Sequence, residues 1–239
     1  MVETSKLGTL YLAPVPLGDS GIEFALPPAA RTLISGLEHF VVENPKTARH
    51  FLKQIGSEIA LQLIKMEVLD EHTKADQLNS LLKPLLDGKD IGLMSEAGCP
   101  GIADPGSALV ALAHARGIPV RPLVGPSSIL LALIASGLNG QSFAFHGYLP
   151  ADKIGRMKRI TELEKESSRQ KQTQIFIETP YRNNALLVDL LAVLNPRTRL
   201  CIAVDLTVAT ESVCMQTITN WRKSPPDLNK RPAVFLILA

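Results

Sequence analysis

The chain has 239 residues, 46% of them apolar and 5% aromatic, with 25 Lys or Arg against 23 Asp or Glu. That apolar fraction excludes a disordered chain, the few aromatics argue against a large all-β protein, and the length admits two lobes of similar size. The near-neutral total hides an asymmetry, because residues 1–150 carry 11 basic and 14 acidic side chains and residues 151–239 carry 14 and 9.

The start, Met1-Val2-Glu3-Thr4-Ser5-Lys6, is polar and leads straight into strand-like Gly8-Thr9-Leu10-Tyr11-Leu12-Ala13. No secretory signal is expected, and a cytoplasmic location is. The first strand, over 8–15, ends in Pro14-Val15-Pro16-Leu17-Gly18-Asp19, a turn that leaves backbone groups free to face a ligand. A second strand is predicted over 39–43. Thr73-Lys74-Ala75-Asp76 reads as a capping box opening a helix toward Leu86, with Pro84 kinking or shortening its last turn. A third strand, 90–95, runs into Ser95-Glu96-Ala97-Gly98-Cys99-Pro100-Gly101-Ile102-Ala103-Asp104-Pro105-Gly106, followed by an apolar helix that stops at Gly117. Strand-to-helix links usually need only ~2–6 residues, and this one is longer and richer in Gly and Pro. It lies at the carboxyl end of a strand, where open α/β sheets bind their ligands.

A strand over 118–124 leads to Arg121-Pro122-Leu123-Val124-Gly125-Pro126, the expected junction between lobes 1–122 and 123–239. Ser127 and Ser128 then stand at a helix N-terminus, as caps or as partners of a polar ligand. The longest aliphatic run, 129–135, is too short for a membrane span of ~20 residues and reads as a buried helix. Strands follow over 143–148, 174–178, 199–205 and 233–238. Two of them end in functional groups, Phe145-His146-Gly147-Tyr148 and Ile177-Glu178-Thr179-Pro180-Tyr181-Arg182. Between these two, Lys153, Arg156, Lys158, Arg159, Lys165, Arg169 and Lys171 share a predicted helical region with Asp152, Glu162, Glu164 and Glu166. Such a mixed-charge helix is either a solvated face or a surface that tracks a phosphate backbone. The alternation predicts an α/β protein of two α/β lobes with mostly parallel or mixed sheets.

No GxxxxGK[ST], GxGxxG or GxSxG occurs, so nucleotide-phosphate cradles, dinucleotide sites and hydrolase elbows lose support. Cys99, Cys201 and Cys214 have neither CxxC nor His-partnered spacing, so reduced thiols are expected and neither a disulfide framework nor a metal site. A ligand without a pyrophosphate grip fits best, such as a sulfonium cofactor in a cleft lined by backbone groups.

The order of these motifs resembles the tetrapyrrole methylase superfamily, the class III S-adenosylmethionine-dependent methyltransferases. Within it the chain is most similar to the bacterial enzymes that methylate a cytidine 2′-hydroxyl in small-subunit ribosomal RNA. The resemblance runs through the Pro14–Gly18 turn, the 95–106 loop, Gly125-Pro126-Ser127, Phe145-His146-Gly147-Tyr148-Leu149-Pro150, Glu178-Thr179-Pro180-Tyr181-Arg182 and Asp205-Leu206-Thr207. It implies a homodimer of two-lobed subunits, with S-adenosyl-L-methionine in a cleft between the lobes, RNA as partner, and no membrane or metal. Carried over, the cofactor contacts fall on Leu17, Met94, Ser95, Glu96, Cys99, Ser127, Ser128, Ile177 and Leu206, with Pro232 and Ala233 closing the adenine side.

This chain departs from the family pattern on the substrate side. Glu43-Asn44-Pro45-Lys46 stands where those enzymes carry Glu-Asp-Thr-Arg, and Asp205-Leu206-Thr207-Val208 where they carry Glu-Leu-Thr-Lys. In the loop, Glu96 replaces a usual aspartate and Cys99 a usual threonine. A 2′-hydroxyl is a poor nucleophile that benefits from a positioned base. Glu43 and Glu178 are the first candidates, ahead of Glu96 and His146; the histidine is expected to pack near the lobe interface with one ring nitrogen satisfied. The alternatives are carbon methylation of a tetrapyrrole and a catalytically impaired protein that binds the cofactor or RNA on the same fold.

Overall fold

The computed structural model describes residues 6–19, 21–70 and 73–239, so the polar Met1–Ser5 start lies outside the described residues. The chain divides into two units, Met1–Ser127 and Ser128–Ala239. The first contains β1 (Leu10–Leu12), α1 (Ile22–Ala25), α2 (Pro28–Ser35), β2 (His39–Val42), α3 (Pro45–Gln54), β3 (Lys65–Val68), α4 (Ala75–Leu81), α5 (Lys83–Leu86), β4 (Ile91–Met94), α6 (Ser107–Ala115) and β5 (Val120–Pro122). Its strands lie in the order β3-β2-β4-β1-β5 and all pair in parallel. Alternate residues feed two cores. Phe40, Val42 and Met94 pack with α2 and α3 through Ile34, Phe51 and Leu52. Val41, Ile91 and Leu93 pack with α4, α5 and α6 through Leu81, Leu85 and Leu109. A parallel sheet covered on both faces explains why β2 and β4 read as unbroken apolar runs.

The second unit contains α7 (Ser128–Ser136), β6 (Phe143–Tyr148), α8 (Lys153–Gln170), β7 (Thr173–Ile177), α9 (Asn183–Val193), β8 (Arg199–Val204), β9 (Ser212–Thr217), α10 (Ile218–Trp221) and β10 (Ala233–Leu238). Its sheet order is β6-β7-β10-β8-β9, with β6 and β7 parallel and the remaining pairs antiparallel. Phe176 and Phe235 stack at 6.1 Å on the face that receives Ile160, Leu163, Leu186 and Leu190. Arg156 of α8 and Asp189 of α9 form a buried ion pair of 2.7 Å, and Arg156 also donates to the Ala151 carbonyl at 2.8 Å. One buried interaction thus fixes α8 both to α9 and to its own approach loop.

Several expectations need correction. Two strands escaped the sequence, β3 and β9, and both are edge strands that bury at most one face and carry polar residues between the apolar ones. Thr73 does not cap α4; its hydroxyl donates to Asp70 Oδ1 at 3.0 Å, and Lys74 takes the cap position with its N–H on Gln77 Oε1 at 2.9 Å. The bend expected at Pro84 is a break into α4 and α5. The unit boundary falls after Ser127 rather than after residue 122, because Leu123 donates to the Leu12 carbonyl and Cys99 Sγ to the Pro126 carbonyl, both within the first unit. The helix over the aliphatic run is α7, but only one face is buried: Ile129, Ala132 and Leu133 point inward, while Leu130 and Ile134 are 52% and 76% exposed. Among the described residues, no helix is long and apolar enough to cross a membrane.

Removing one partner of a buried ion pair strands the other charge. Arg156→Ala is expected to cost about 3–5 kcal/mol in urea unfolding, whereas Arg156→Met with Asp189→Leu costs much less. A loss below about 1 kcal/mol for the single variant would show that the pair does not hold α8.

Candidate functional site at the strand ends

The parallel strands of the first unit all end on one edge, and the segments that follow β1, β2 and β4 meet there. Val15 and Gly98 form an antiparallel bridge, with N–H···O distances of 2.9 and 3.1 Å in the two directions. This bridge fastens the turn after β1 to the 95–106 loop. Gly98 sits at φ 74°, and a Cβ there would press against Leu17 Cδ2 at 3.2 Å, so the position calls for glycine on both counts. Residues 124–127 close on the same turn: a Cβ on Gly125 would stand 2.2 Å from Pro14 Cγ. The three motifs picked out in this half of the sequence are therefore one assembly.

Carboxylates crowd beside it. Glu43, just past β2, donates its N–H to the Met94 carbonyl at 3.3 Å and accepts the Glu96 N–H on Oε2 at 3.3 Å. Burial pushes the Glu43 carboxyl up, and Asp104, Glu96 and Asp70 add like-charge repulsion against a partly opposing hydrogen bond from the Glu96 backbone. Burial also raises Asp104, with Ser95 opposing through a hydrogen bond and Glu96 adding repulsion. These are the two effects that hold a carboxyl group nearer to neutral pH than usual.

Asn44 explains how the altered segment fits. Its Oδ1 accepts the Lys46 N–H at 3.0 Å, capping α3 with Pro45 in the first turn, and its Nδ2 donates to Glu96 Oε1 at 3.0 Å. An aspartate could make the cap but not the second bond. Asn44 thus couples the start of α3 to the 95–106 loop, with Thr47 Oγ1 also directed at Glu96 Oε1 at 3.5 Å. A cavity of about 850 Å³ opens next to them, walled by residues of the turn after β1, by Ser95 and Glu96, and by Lys46, Thr47, His50 and Gln54 of α3.

The expected cofactor residues of this unit have distinct placements. Leu17, Ser95 and Glu96 line the cavity. The Met94 side chain is buried in the core, so this residue offers its backbone. Cys99 Sγ donates to the Pro126 carbonyl at 3.3 Å, and burial raises its thiol, so it is a packing residue rather than a nucleophile. Ser127 ends the first unit and Ser128 opens α7 in the second.

In the second unit the sheet register gathers the rest on one edge: Ile177 lies opposite both Tyr148 and Val234, and Ala233 opposite Val204. Asp205 donates its N–H to the Pro232 carbonyl at 2.9 Å, bringing Leu206 and Pro232 to that edge. Asp205 and Thr207 both have positive φ, 51° and 75°, a strained conformation for residues with a Cβ. Glu178 is buried, and its Oε1 receives the Thr179 N–H at 2.6 Å and Arg182 Nε and Nη2 at 3.0 and 2.6 Å. Its Oε2 and the Thr207 hydroxyl are buried without a partner among the described residues. His146 has both ring nitrogens engaged inside this unit, Nε2 with Gln174 Oε1 at 2.6 Å and Nδ1 with Arg159 Nη2 at 3.3 Å. Because Arg159 can only donate, Nε2 carries the proton, and the ring is a structural link. The residues that sequence reasoning passed over are Asp104, Thr47, His50 and Thr207. Asp104 was visible in the loop, but spacing alone does not say which way a loop carboxylate points.

Two α/β units with ligand-type loops at their strand ends define a class, and the comparisons name it. The chain belongs to the tetrapyrrole (corrin/porphyrin) methylases, whose family profile matches residues 9–220. It is 32% identical over 235 residues to a protein of Xylella fastidiosa (strain Temecula1) named ribosomal RNA small subunit methyltransferase I, covering 98% of this chain and 82% of that one. A protein of the same name from Vibrio cholerae is 33% identical over 231 residues, covering 95% and 76%. Among solved structures, the methyltransferase CobJ shares the fold with a TM-score of 0.63 at 19% identity, over 98% of this chain and 94% of its own. Uroporphyrin-III-C-methyltransferase from Thermus thermophilus shares it at 0.54 and 19% identity, over 97% and 92%.

The like-charge crowding gives opposite signs for two substitutions. A raised carboxyl binds more protons folded than unfolded, so its contribution to stability falls as pH climbs through the ordinary carboxylate range and above. Asp104→Asn is expected to melt higher than the parent at pH 7. Asn44→Asp, which keeps the cap but removes the donor to Glu96, is expected to lose about 1 kcal/mol or less there. Both differences should shrink at about pH 4, where the carboxyls take up protons. Equal differences at the two pH values would refute the crowding.

Proposed function

We propose that this protein is an S-adenosylmethionine-dependent methyltransferase that acts on ribosomal RNA at a ribose 2′-hydroxyl, with Glu43 as the general base. The single observation that carries this reading is the placement of Glu43 at the strand-end edge of the first unit, its Oε2 accepting the Glu96 N–H at 3.3 Å and its carboxyl pushed up by burial, in a chain whose relatives bear a ribosomal RNA methyltransferase name over nearly its whole length.

The residues present fit the cofactor. Glu178 Oε2 and Thr207 Oγ1, buried without partners beside Ile177 and Leu206, are suited to the amino groups of such a molecule. The contacts proposed for it are the backbone of the 95–106 loop with Leu17, Ser95, Glu96 and Ser127 in the first unit, and Ser128, Ile177, Leu206, Pro232 and Ala233 in the second. When bound, S-adenosylmethionine supplies an electrophilic methyl carried on a sulfonium.

The protein's own work is alignment and proton removal. Glu43 takes the proton from the attacking hydroxyl, and its raised proton affinity makes it a stronger base than an ordinary carboxylate. Lys46 and His50, one helical turn apart on the cavity wall, are placed to meet the acceptor's phosphate. Glu178, fixed by Arg182 and Thr179, serves as a positioning residue. The exposed Leu130 and Ile134 of α7 support a homodimer, and an RNA substrate of the ribosome supports a cytoplasmic location.

Radiolabelled methyl transfer to small-subunit ribosomal RNA from a strain lacking the gene tests this reading, with nucleoside analysis of the product. A new 2′-O-methylnucleoside is expected, and Glu43→Gln should lower the rate about 10²–10⁴-fold while cofactor binding by calorimetry stays within a few-fold. Binding without transfer would identify instead a cofactor-binding protein whose Asn44-Pro45-Lys46 segment has ended catalysis. Transfer to a tetrapyrrole precursor and not to RNA would move the protein to the other branch of its family.

A further inference from the structure

Helix α8 resolves an ambiguity that its sequence leaves open. All three of its glutamates are engaged. Glu162 and Glu166 pair with Arg159 at 3.4 and 3.2 Å, and Glu164 accepts the Asn195 N–H at 2.7 Å together with the Thr198 hydroxyl. Arg156 is consumed by Asp189. Lys158, Lys165 and Arg169 are exposed, and none of them forms an ion pair among the described residues. Spaced by seven and then four residues, they fall within about 40° of one another around the helix and span about 16 Å along it. The acids of the helix are engaged by Arg159, Asn195 and Thr198 rather than by this line of cations.

The direction of the line matters as much as its charge. Helix α8 leaves the end of β6 where Tyr148 lies opposite Ile177, and it returns to the start of β7 at Thr173. The line of cations therefore begins near the strand-end edge of the second unit that carries Ile177, Leu206 and Ala233, and leads away from it along the outside. At the ~3.4 Å axial rise per nucleotide of a duplex strand, 16 Å follows about four or five phosphates. Few apolar side chains are exposed on this helix, Ile154 being the principal one, so the face suits a polyanion in water rather than a bilayer.

We infer that Lys158, Lys165 and Arg169 form a docking track for an RNA phosphate backbone that leads the substrate strand toward the strand-end edge. This rests on the methyltransferase reading and adds to it the surface that holds the RNA away from the reacting atoms. Such contacts release counterions, so they carry a salt signature of about 0.7–0.9 in the slope of log K against log salt for each phosphate neutralised.

The test compares full-length parent protein with the triple variant Lys158→Gln, Lys165→Gln, Arg169→Gln, and with a control that loses the same charge elsewhere, Lys53→Gln, Lys83→Gln, Lys89→Gln. Binding to purified small-subunit ribosomal RNA is measured across a salt series, and folding is checked by cofactor calorimetry. The track predicts that the α8 variant loses about 2 in the slope and binds about tenfold or more weakly at moderate salt, with the control close to the parent. An unchanged slope, an equal loss in the control, or an equal proportional loss against polyglutamate would overturn it. Failure of the parent to methylate any RNA would instead overturn the methyltransferase reading, and the slope comparison would still decide whether α8 holds RNA.

Discussion

In a parallel sheet every strand ends on the same edge, and the site depends on that constraint. Because β1, β2 and β4 are adjacent and parallel, the turn at residues 14–19, the Glu43–Asn44 corner and the 95–106 loop are delivered to one place without any side chain having to reach far. The edge has no further strand to absorb its backbone groups. The Val15–Gly98 bridge then converts three neighbouring loops into one wall. The second unit reaches a similar result with a mixed sheet, since antiparallel β10 begins where β7 and β8 end.

On that wall, charge is concentrated rather than dispersed. Burial raises the proton affinity of Glu43 and Asp104, and the charge of Glu96 adds to it at both, an arrangement that costs stability and is characteristic of sites that use it. The amide of Asn44 moderates the cost by donating to Glu96 while it caps α3. Position 44 therefore contributes a donor beside Glu96 rather than a further carboxylate, and Glu43 keeps its acidic neighbours.

Much of this was legible from sequence because the signals were local. Unbroken apolar runs marked β2 and β4, Gly and Pro marked the loop, and motif order pointed to the family. What escaped was non-local. The edge strands β3 and β9 lack an apolar run because they bury so little. The partner of Glu96 is set by the packing of α3 against the sheet, which no spacing reveals. Glu178 looked like a free functional group at a strand end, yet it is tied by hydrogen bonds to Thr179 and Arg182, and His146, expected to have one ring nitrogen satisfied, has both engaged within its own unit. The outward face of α7 was invisible for a related reason: an all-apolar helix gives no periodicity from which a buried side could be told from an exposed one.

The central claim is that burial, reinforced by neighbouring carboxylates, makes Glu43 a base. The pH dependence of single-turnover methyl transfer to RNA tests it most directly, measured for the parent and for Asp104→Asn. The account predicts a rate that rises with pH through a group titrating above the ordinary glutamate value of 4.5, and an inflection that moves to lower pH once the Asp104 charge is removed. A rate independent of pH through that range, or an inflection unmoved by the substitution, would contradict it.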